Sequence, residues 1–281
     1  MRQPRKYWNC LLFDKMKLSE DKNKIIDKLA SDWLESGLEK GDMVLIHSAL
    51  SGFLKRFKEK NVLLTPQDIL ESFIRAVGEN GTLIFPTFNF EFTNGKTFDI
   101  RHTVSETGAL TEAARLHPES VRTGHPLFSF AVLGKEIDKF RGLYNFSAFG
   151  KDSPFGILHE RNGKIAVLDL GGEKCSTFYH YVEESENAPN RYHKLFRGPY
   201  IDYDGKETIR EFNLYARNLE MKVITDIKPM EDLIWSKNLY IGYPPGEGTC
   251  LHVIDAVTLY NEIADVIRKG NSLNMLYRIG N

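Results

Sequence analysis

The sequence predicts an α/β fold with a largely parallel central sheet, because helical and strand-like segments alternate along the chain. Residues 18–42 carry apolar side chains at helical spacing, and Ser19 and Gly37 suit the two ends of that helix. The apolar run from Met43 to Ile46 follows and predicts a buried strand. A helix, a strand, a second helix and a second strand in this order favour strands that run in one direction.

The second helix and the segments after it continue this alternation. Thr65, Pro66 and Asp68 form a capping-box start for a helix, and residues 82–90 predict a strand that breaks at Pro86. The remaining elements are predicted to be a short helix capped by Ser105, a strand after His125 and Pro126, a short helix from Pro154, a strand over residues 165–170, a hairpin turning at Asp204 and Gly205, a short helix over residues 229–238 and a terminal helix ending near Gly270. No repeat or linker interrupts them, so residues 1–281 are predicted to form a single domain.

The composition excludes several classes of protein. The 281 residues include 37 Lys and Arg against 38 Asp and Glu, and they contain no basic stripe of the kind that binds nucleic acid. No apolar run reaches the roughly 18 residues that a membrane span requires. Cys10, Cys175 and Cys250 are widely spaced and indicate a reducing compartment without a disulfide framework. We therefore expect a cytoplasmic protein that acts on or binds small molecules, without nucleic-acid or membrane partners.

The segment after the strand over residues 165–170 carries the strongest chemical signal. Thr177, His180 and Glu183 or Glu184 recur at spacings of three or four, which places a hydroxyl, an imidazole and a carboxylate on one helix face. A neutral imidazole oriented by a carboxylate can accept a proton from an attacking amine or hydroxyl. The alternative is an ordinary polar helix start, where the helix dipole favours acidic residues. The position at the end of a buried strand favours a functional site.

The same segment contains an H-x-x-E pattern, which raises the question of a metal site. No second histidine stands at helical spacing, because His193 lies beyond Pro189. We therefore expect no metal.

Two further groups of polar residues lie next to predicted strands. His47, Ser48 and Ser51 follow the first strand, where hydroxyls and backbone N–H groups can hold an anion such as a phosphate. The alternative is that they cap the next turn. Arg122 and His125 flank the start of the third strand, and the alternative there is an ordinary turn with a surface arginine.

Five blocks of sequence occur in a distinctive order: GDMVLIHSALSGF, GTLIFPTF, ETGALTEAARLHPESVRTGHPLFSFAVLG, DSPFGILHERNGKIAVLDLG and STFYHYVEE. In this order they resemble the aminoglycoside 3-N-acetyltransferase family, also called the antibiotic acetyltransferase family, over residues 24–276. The resemblance implies a three-layer α/β/α sandwich distinct from the GNAT acetyltransferases. It also implies acetyl-coenzyme A as the donor and a primary amine on a sugar-like ring as the acceptor.

The resemblance implies roles for individual residues. His180 matches the family's catalytic histidine, with Thr177 and Glu183 as its threonine and acid. The residues expected to bind coenzyme A are His47, Ser48, Ser51, Arg122, His125 and Ser153. Ser51 is included because of its position after the first strand, and the others because they match the family's motifs. The residues expected to face the acceptor are Glu184, Glu186 and Arg191.

We therefore expect direct transfer of an acetyl group from acetyl-coenzyme A to a primary amine of an aminoglycoside or amino-sugar-like acceptor. His180 is the expected general base and Glu183 its orienting acid. The alternatives are acyl transfer to a nucleotide-linked amino sugar or to another small amine or hydroxyl, and non-catalytic binding of coenzyme A or a nucleotide sugar. A homodimer is compatible with the sequence.

Overall fold

The structure is a computed structural model that describes residues 22–174 and 177–280. Its α-helices are α1 (Lys22–Glu35), α2 (Leu50–Lys58), α3 (Pro66–Val77), α4 (Ala109–Arg115), α5 (Pro154–Glu160), α6 (Thr177–Ser185), α7 (Lys228–Ser236) and α8 (Ala256–Arg268). Its strands are β1 (Met43–Ser48), β2 (Thr82–Pro86), β3 (Phe98–Asp99), β4 (Val121–Arg122), β5 (Phe130–Gly134), β6 (Lys164–Leu168), β7 (Arg191–Ile201), β8 (Glu207–Arg217), β9 (Val223–Thr225), β10 (Ile241–Gly242), β11 (Leu251–Asp255) and β12 (Tyr277–Ile279). Ser19, the predicted cap of the first helix, lies outside the described residues, as do Cys10 and Cys175.

The central sheet has the strand order β10-β11-β6-β1-β2-β5-β4 and carries helices on both faces. Alternate residues of each strand point to opposite faces, so Val44 and Ile46 of β1 enter one apolar core and Met43 and Leu45 enter the other. Helices α1 to α4 cover the first core, and α5 to α8 cover the second. The predicted three-layer α/β/α sandwich is confirmed.

The prediction of a largely parallel sheet is wrong. β1 pairs in parallel with β2 and with β6, but β5, β4, β11 and β10 each run antiparallel to the neighbour they join. A strand covered by helices on both faces is apolar along its whole length in either direction, so its sequence does not reveal its polarity. The three parallel strands lie at the centre, which brings their carboxyl ends to one edge.

A second sheet, in the order β3-β7-β8, stands against the outer side of the α5–α8 core. Its main part is the predicted hairpin, in which β7 and β8 pair over 11 residues each. The turn contains Gly205, whose φ of 80° a residue with a side chain rarely adopts. β7 begins at Arg191, shortly after α6 ends, so the hairpin forms a wall beside that helix.

The predicted start of α3 is confirmed in detail. The Asp68 N–H donates to the Thr65 hydroxyl, and the Thr65 N–H donates to the Asp68 carboxylate at 2.7 Å, which completes the capping box. The predicted starts and ends at Pro154 and Gly270 also agree with α5 and α8.

Two local predictions differ from the structure. Residues 50–58 form α2, which the sequence reading missed because the helix is short and follows the polar end of β1 directly. α4 begins at Ala109 after Gly108, and Ser105 does not cap it. The Ser105 hydroxyl instead exchanges hydrogen bonds with the side chains of Thr107 and Thr111, at 2.8 Å each.

Candidate active site

The carboxyl ends of β1 and β6 lie side by side, because the two strands are parallel with Ser48 opposite Leu168. His47 and Ser48 close β1 at this edge. The chain leaving β6 passes through Asp169, with a φ of 51°, and a pair of glycines before α6 begins at Thr177. The structure therefore places α6 at the end of a buried strand, as the sequence predicts.

His180 and Glu183 lie on one face of α6 and are hydrogen-bonded to each other. Nδ1 of His180 donates to Oε2 of Glu183 at 2.8 Å, because a carboxylate can only accept. Nε2 is then the unprotonated nitrogen of the neutral ring. The imidazole also packs against the ring of Phe149, with 5.3 Å between centroids. These contacts hold the ring in one tautomer and one orientation.

Glu183 is 2% exposed and is surrounded by donors. Its Oε1 accepts from Nδ2 of Asn190 at 2.9 Å, and its Oε2 lies 2.5 Å from Nε of Arg191. Burial favours the protonated acid, but the charge of Arg191 and the hydrogen bonds from His180 and Asn190 outweigh it and hold the pKa of Glu183 below its ordinary value. The carboxylate is therefore ionised at neutral pH and stays oriented toward His180.

His180 is neutral at neutral pH. Burial lowers the pKa of its imidazole below the ordinary 6.5, and the Arg191 charge lowers it further, against an opposing effect of Glu183. Nη2 of Arg191 lies 3.5 Å from Nε2. The side chain of His180 keeps 14% of its surface exposed. A partly exposed imidazole with an unprotonated Nε2, backed by a carboxylate, can take a proton from a bound molecule.

Thr177, at the start of α6, connects this pair to the end of β1. Its hydroxyl lies 3.5 Å from Nε2 of His47, and burial lowers the pKa of His47 to about 4. Ser48 is half-buried and Ser51 is exposed in the first turn of α2. Within residues 22–174 and 177–280 neither hydroxyl has a hydrogen-bond partner, so both are available to a ligand beside the N–H groups of that turn. We call His47, Ser48, Ser51 and Thr177 the sheet-edge group.

A cavity of about 330 Å³ opens beside His180 on the side of the β7–β8 hairpin. Its lining includes His180, Arg191, Phe149 and residues of both hairpin strands. This volume lies within the usual range of small-molecule pockets. His180 thus lines the cavity, while Thr177 on the preceding turn of the same helix contacts His47.

Arg122, predicted to bind the cofactor, is committed to the protein interior. It is 4% exposed, and its guanidinium donates to the Ser129 hydroxyl at 3.0 Å and to the Thr87 carbonyl at 2.9 Å. Burial lowers its pKa to about 10, which leaves it charged at neutral pH. Its contacts join the loop after β2 to β4 and β5, which gives it a structural role, and its part in cofactor binding stays a prediction.

His125 and Ser153, also predicted to bind the cofactor, are fully buried. The His125 ring donates from Nε2 to the carbonyl of Asn213 at 3.1 Å and accepts the N–H of Phe128 at Nδ1. Ser153 caps α5 and accepts the N–H of Gly156. Both side chains are occupied by hydrogen bonds within the protein, and their part in cofactor binding stays a prediction.

The three residues predicted to face the acceptor have different surroundings. Glu186 points to α8, where it accepts from Tyr260 at 2.8 Å and pairs with Arg268. Glu184 accepts from the Ser147 hydroxyl at 2.8 Å, and burial raises its pKa. Neither glutamate lines the cavity. Arg191 does line it, but its main contact is the ion pair with Glu183.

Sequence reasoning missed two groups that support the site. Asn190 follows a helix stop at Asn187, whose φ is 51°, and the resulting chain reversal returns it to Glu183. Glu231 of α7 accepts the hydroxyls of Tyr179 at 2.6 Å and Tyr240 at 2.9 Å. A side chain at Gly172 would meet the Glu231 carboxylate at 2.2 Å, so the glycine turn before α6 packs directly on this buried acid.

Two general features of the described chain bear on function. Across residues 22–174 and 177–280, no three or more His, Cys, Asp or Glu side chains are grouped so that they could hold a metal ion. Within the same residues, every helix is too short or too polar to cross a membrane.

The fold and the site together define a class of α/β enzymes in which an oriented, neutral histidine lines a cavity of small-molecule size. Residues 45–241 match the family model described as aminoglycoside 3-N-acetyltransferase, and the chain belongs to that family. It is therefore an acyltransferase with acetyl-coenzyme A as co-substrate, as the resemblance implied.

Curated relatives are similar over about two thirds of the chain. An aminoglycoside N(3')-acetyltransferase-like protein of Bacillus subtilis (strain 168) is 26% identical over 208 residues, which is 66% of this chain and 72% of the relative. Aminoglycoside N(3)-acetyltransferase VII of Streptomyces paromomycinus is 28% identical over 206 residues, which is 66% of this chain and 69% of the relative.

Solved structures share the fold. The aminoglycoside acetyltransferase AAC(3)-Xa superimposes with a TM-score of 0.72 at 21% identity, covering 87% of this chain and 92% of that one. AAC-IIIb in a binary complex with CoASH gives 0.73 at 20% identity, with 87% and 96% covered. AAC-VIa bound to sisomicin gives 0.73 at 20% identity, with 88% and 98% covered.

Proposed function

We propose that the protein transfers an acetyl group directly from acetyl-coenzyme A to a primary amine of a small molecule, with His180 as the general base and Glu183 as its orienting acid. The observation that carries the proposal is the 2.8 Å hydrogen bond from Nδ1 of His180 to Glu183, which leaves Nε2 as the unprotonated nitrogen of a ring that lines the cavity. A relative named as an aminoglycoside N(3)-acetyltransferase and a neighbour bound to sisomicin support an amine on a sugar ring as the acceptor group.

The chemical step needs a base, because an amine is protonated at neutral pH and a protonated amine cannot attack. The amine nitrogen forms a bond to the carbonyl carbon of the acetyl thioester, and the carbon–sulfur bond breaks. An acceptor ammonium first loses one proton to solvent. As the resulting neutral amine attacks, its second proton passes to Nε2 of His180 and then to the departing sulfur, so the products are an amide, the free thiol of coenzyme A and one proton in solvent. Glu183 stabilises the imidazolium while it carries the proton. General-base assistance of this kind contributes about 10²–10⁴-fold.

The sheet-edge group is suited to the donor. The free hydroxyls of Ser48 and Ser51 and the N–H groups that open α2 can hold the amides of pantetheine or a pyrophosphate. Thr177 lies between His47 and the turn that carries His180, so its hydroxyl is positioned to donate to the thioester oxygen or to the leaving sulfur. Acetyl-coenzyme A itself supplies the activated thioester.

A thiol-release assay tests the proposal. The protein is mixed with acetyl-coenzyme A and a panel of aminoglycosides and amino sugars, with a reaction lacking acceptor as the control for hydrolysis. We expect acceptor-dependent release of free thiol and an acetylated amine of matching amount. Binding of coenzyme A without release for any amine would instead show a non-catalytic binder. The homodimer and the cytoplasmic location stay predictions.

A further inference from the structure

The cavity beside His180 has walls whose chemistry narrows the choice of acceptor. Aromatic rings form much of the lining: Phe128, Phe149, Tyr192, Phe196 and Tyr215. Two cationic side chains, Lys194 and Arg217, complete the hairpin side of the cavity. Among the described residues, no aspartate or glutamate lines it.

The two cations of the hairpin wall are not neutralised by the protein. Lys194 and Arg217 are exposed, and within residues 22–174 and 177–280 neither has an ion-pair partner. Nζ of Lys194 lies 5.2 Å from the centroid of the Phe196 ring. Arg191 is balanced by its ion pair with Glu183. The cavity wall therefore carries two unbalanced positive charges.

Their spacing is set by the hairpin register. Arg217 lies opposite Arg191 and Lys194 lies three positions farther along β7, which separates the two backbone positions by about 10 Å. Because an odd number of positions separates them, the two side chains leave opposite faces of the hairpin. Each cation therefore offers a separate contact to an anionic group in the cavity that both residues line.

We propose that the acceptor is a primary amine that carries a phosphate group on a sugar-like molecule, and not a polycation. The inference rests on the proposed acetyl transfer and specifies the substrate class of that same site. Lysine and arginine bind phosphate through charge-assisted hydrogen bonds, and aromatic walls bind the flat faces of rings. A polyammonium compound in the same cavity would bring like charges to Lys194 and Arg217, which disfavours binding.

Coenzyme A also carries phosphates, so the two cations have a second conceivable ligand. Ser48, Ser51 and the start of α2 lie at the end of β1 and do not line the cavity, and they are the groups suited to the donor. If Lys194 and Arg217 bind the acceptor, changing them should alter KM for the acceptor and not KM for acetyl-coenzyme A.

The test compares four amines in the thiol-release assay: glucosamine, glucosamine 6-phosphate, UDP-glucosamine and sisomicin. We expect kcat/KM for at least one phosphorylated amine to exceed that for glucosamine and for sisomicin by about tenfold or more, as for one added charge-assisted contact. The ranking of glucosamine 6-phosphate against UDP-glucosamine then distinguishes a sugar phosphate from a nucleotide-linked sugar. A preference for sisomicin would overturn the inference and leave the proposed function standing.

Charge reversal locates the effect. Lys194→Glu and Arg217→Glu are expected to raise KM for the phosphorylated amine by about tenfold or more while leaving KM for acetyl-coenzyme A and for glucosamine unchanged. Lys269→Glu, an exposed lysine at the end of α8, is the matched control and should change none of them. A rise in KM for acetyl-coenzyme A in the hairpin variants would assign the cations to the donor and overturn the inference.

Calorimetric binding keeps the inference testable if no amine releases thiol. In that outcome the proposed function fails, and binding of glucosamine 6-phosphate and UDP-glucosamine to the unmodified protein is measured directly. Binding that both hairpin variants weaken and Lys269→Glu does not would still support a phosphate-binding cavity. Absence of binding, or binding unchanged in all three variants, would overturn it.

Discussion

The two sides of His180 are built from different parts of the molecule and have opposite character. The sheet-edge group consists of neutral hydroxyls and an uncharged histidine on strands and helices of the central fold. The cavity wall opposite is aromatic and cationic and belongs to the β7–β8 hairpin, which lies outside the central sheet. The catalytic helix α6 contributes to both, through Thr177 at the sheet edge and His180 in the cavity lining.

The two regions also differ in what determines their residues. The sheet edge follows from strand order and parallel register, which any chain with this fold must reproduce to bring β1 and α6 together. The hairpin wall depends on which side chains project from two long strands, and these can change without disturbing the central sheet. The sheet-edge group therefore depends on the fold itself, whereas the hairpin wall depends on the individual side chains of this chain.

The largest expected effect is at the residue shared by both sides. His180→Ala removes the base and is expected to lower kcat/KM by about 10²–10⁴-fold, because the amine then loses its proton only to water. Binding of acetyl-coenzyme A, measured by calorimetry, should be unchanged. His102→Ala, at an exposed histidine, is the control and should keep full activity. Undiminished turnover in His180→Ala would remove His180 from the mechanism.

The next effect is at the carboxylate behind the histidine. Glu183→Gln removes a charge-assisted hydrogen bond worth about 1.5–3 kcal/mol, which corresponds to a fall in kcat of roughly 10- to 100-fold. It also leaves Arg191 buried without its partner, so we expect a lower Tm in thermal unfolding. Glu186→Gln, at a residue that directly follows α6 and pairs with Arg268 of α8, is the matched control for activity. Equal kcat values for the two variants would contradict an orienting role for Glu183.

A smaller effect should be confined to the donor side. Ser51→Ala removes a free hydroxyl in the first turn of α2, and we expect KM for acetyl-coenzyme A to rise by roughly 2- to 10-fold, as for the loss of one hydrogen bond of about 0.5–1.5 kcal/mol. KM for the acceptor should stay constant in the same steady-state experiments. If only KM for the acceptor changed, Ser51 would contribute to acceptor binding and not to donor binding.

The smallest effect concerns a serine that the sequence also assigned to the cofactor. Ser153→Ala removes the N-cap of α5, which is expected to lower the free energy of unfolding by about 1 kcal/mol and to leave both Michaelis constants unchanged. Thermal or denaturant unfolding measures the first quantity. If Ser153→Ala instead raises KM for acetyl-coenzyme A at unchanged stability, the buried capping role is incorrect.

The parts of the fold and site that the sequence predicts well are local ones. The Thr65–Asp68 capping box and the pair of His180 and Glu183 on one helix face depend on residues three apart, and backbone geometry alone brings such residues together. The position of α6 after β6 is equally readable, because a glycine pair follows an apolar run.

The parts that sequence could not supply depend on distant contacts. Arg122 and His125 are buried and hydrogen-bonded in the interior. The burial of an arginine or a histidine cannot be recognised from its residue type in a sequence. Asn190 and Arg191 reach Glu183 only because the chain reverses after α6. The direction of β5 and β11 cannot be read from the sequence, because a buried strand has the same pattern of residues whichever way it runs. The charge of the cavity appears only when β7 and β8 are paired.

The most direct test of the central claim is the pH dependence of the ratio between wild-type and His180→Ala rates, measured as kcat/KM with one acceptor. The ratio cancels the ionisation of the acceptor and reports the base alone. Neutral His180 is the active form and its pKa lies below 6.5, because burial and Arg191 disfavour the imidazolium. The ratio should therefore be constant above that value and fall as the pH drops through the lowered pKa. A ratio that stays flat through acidic pH would show that another group takes the proton.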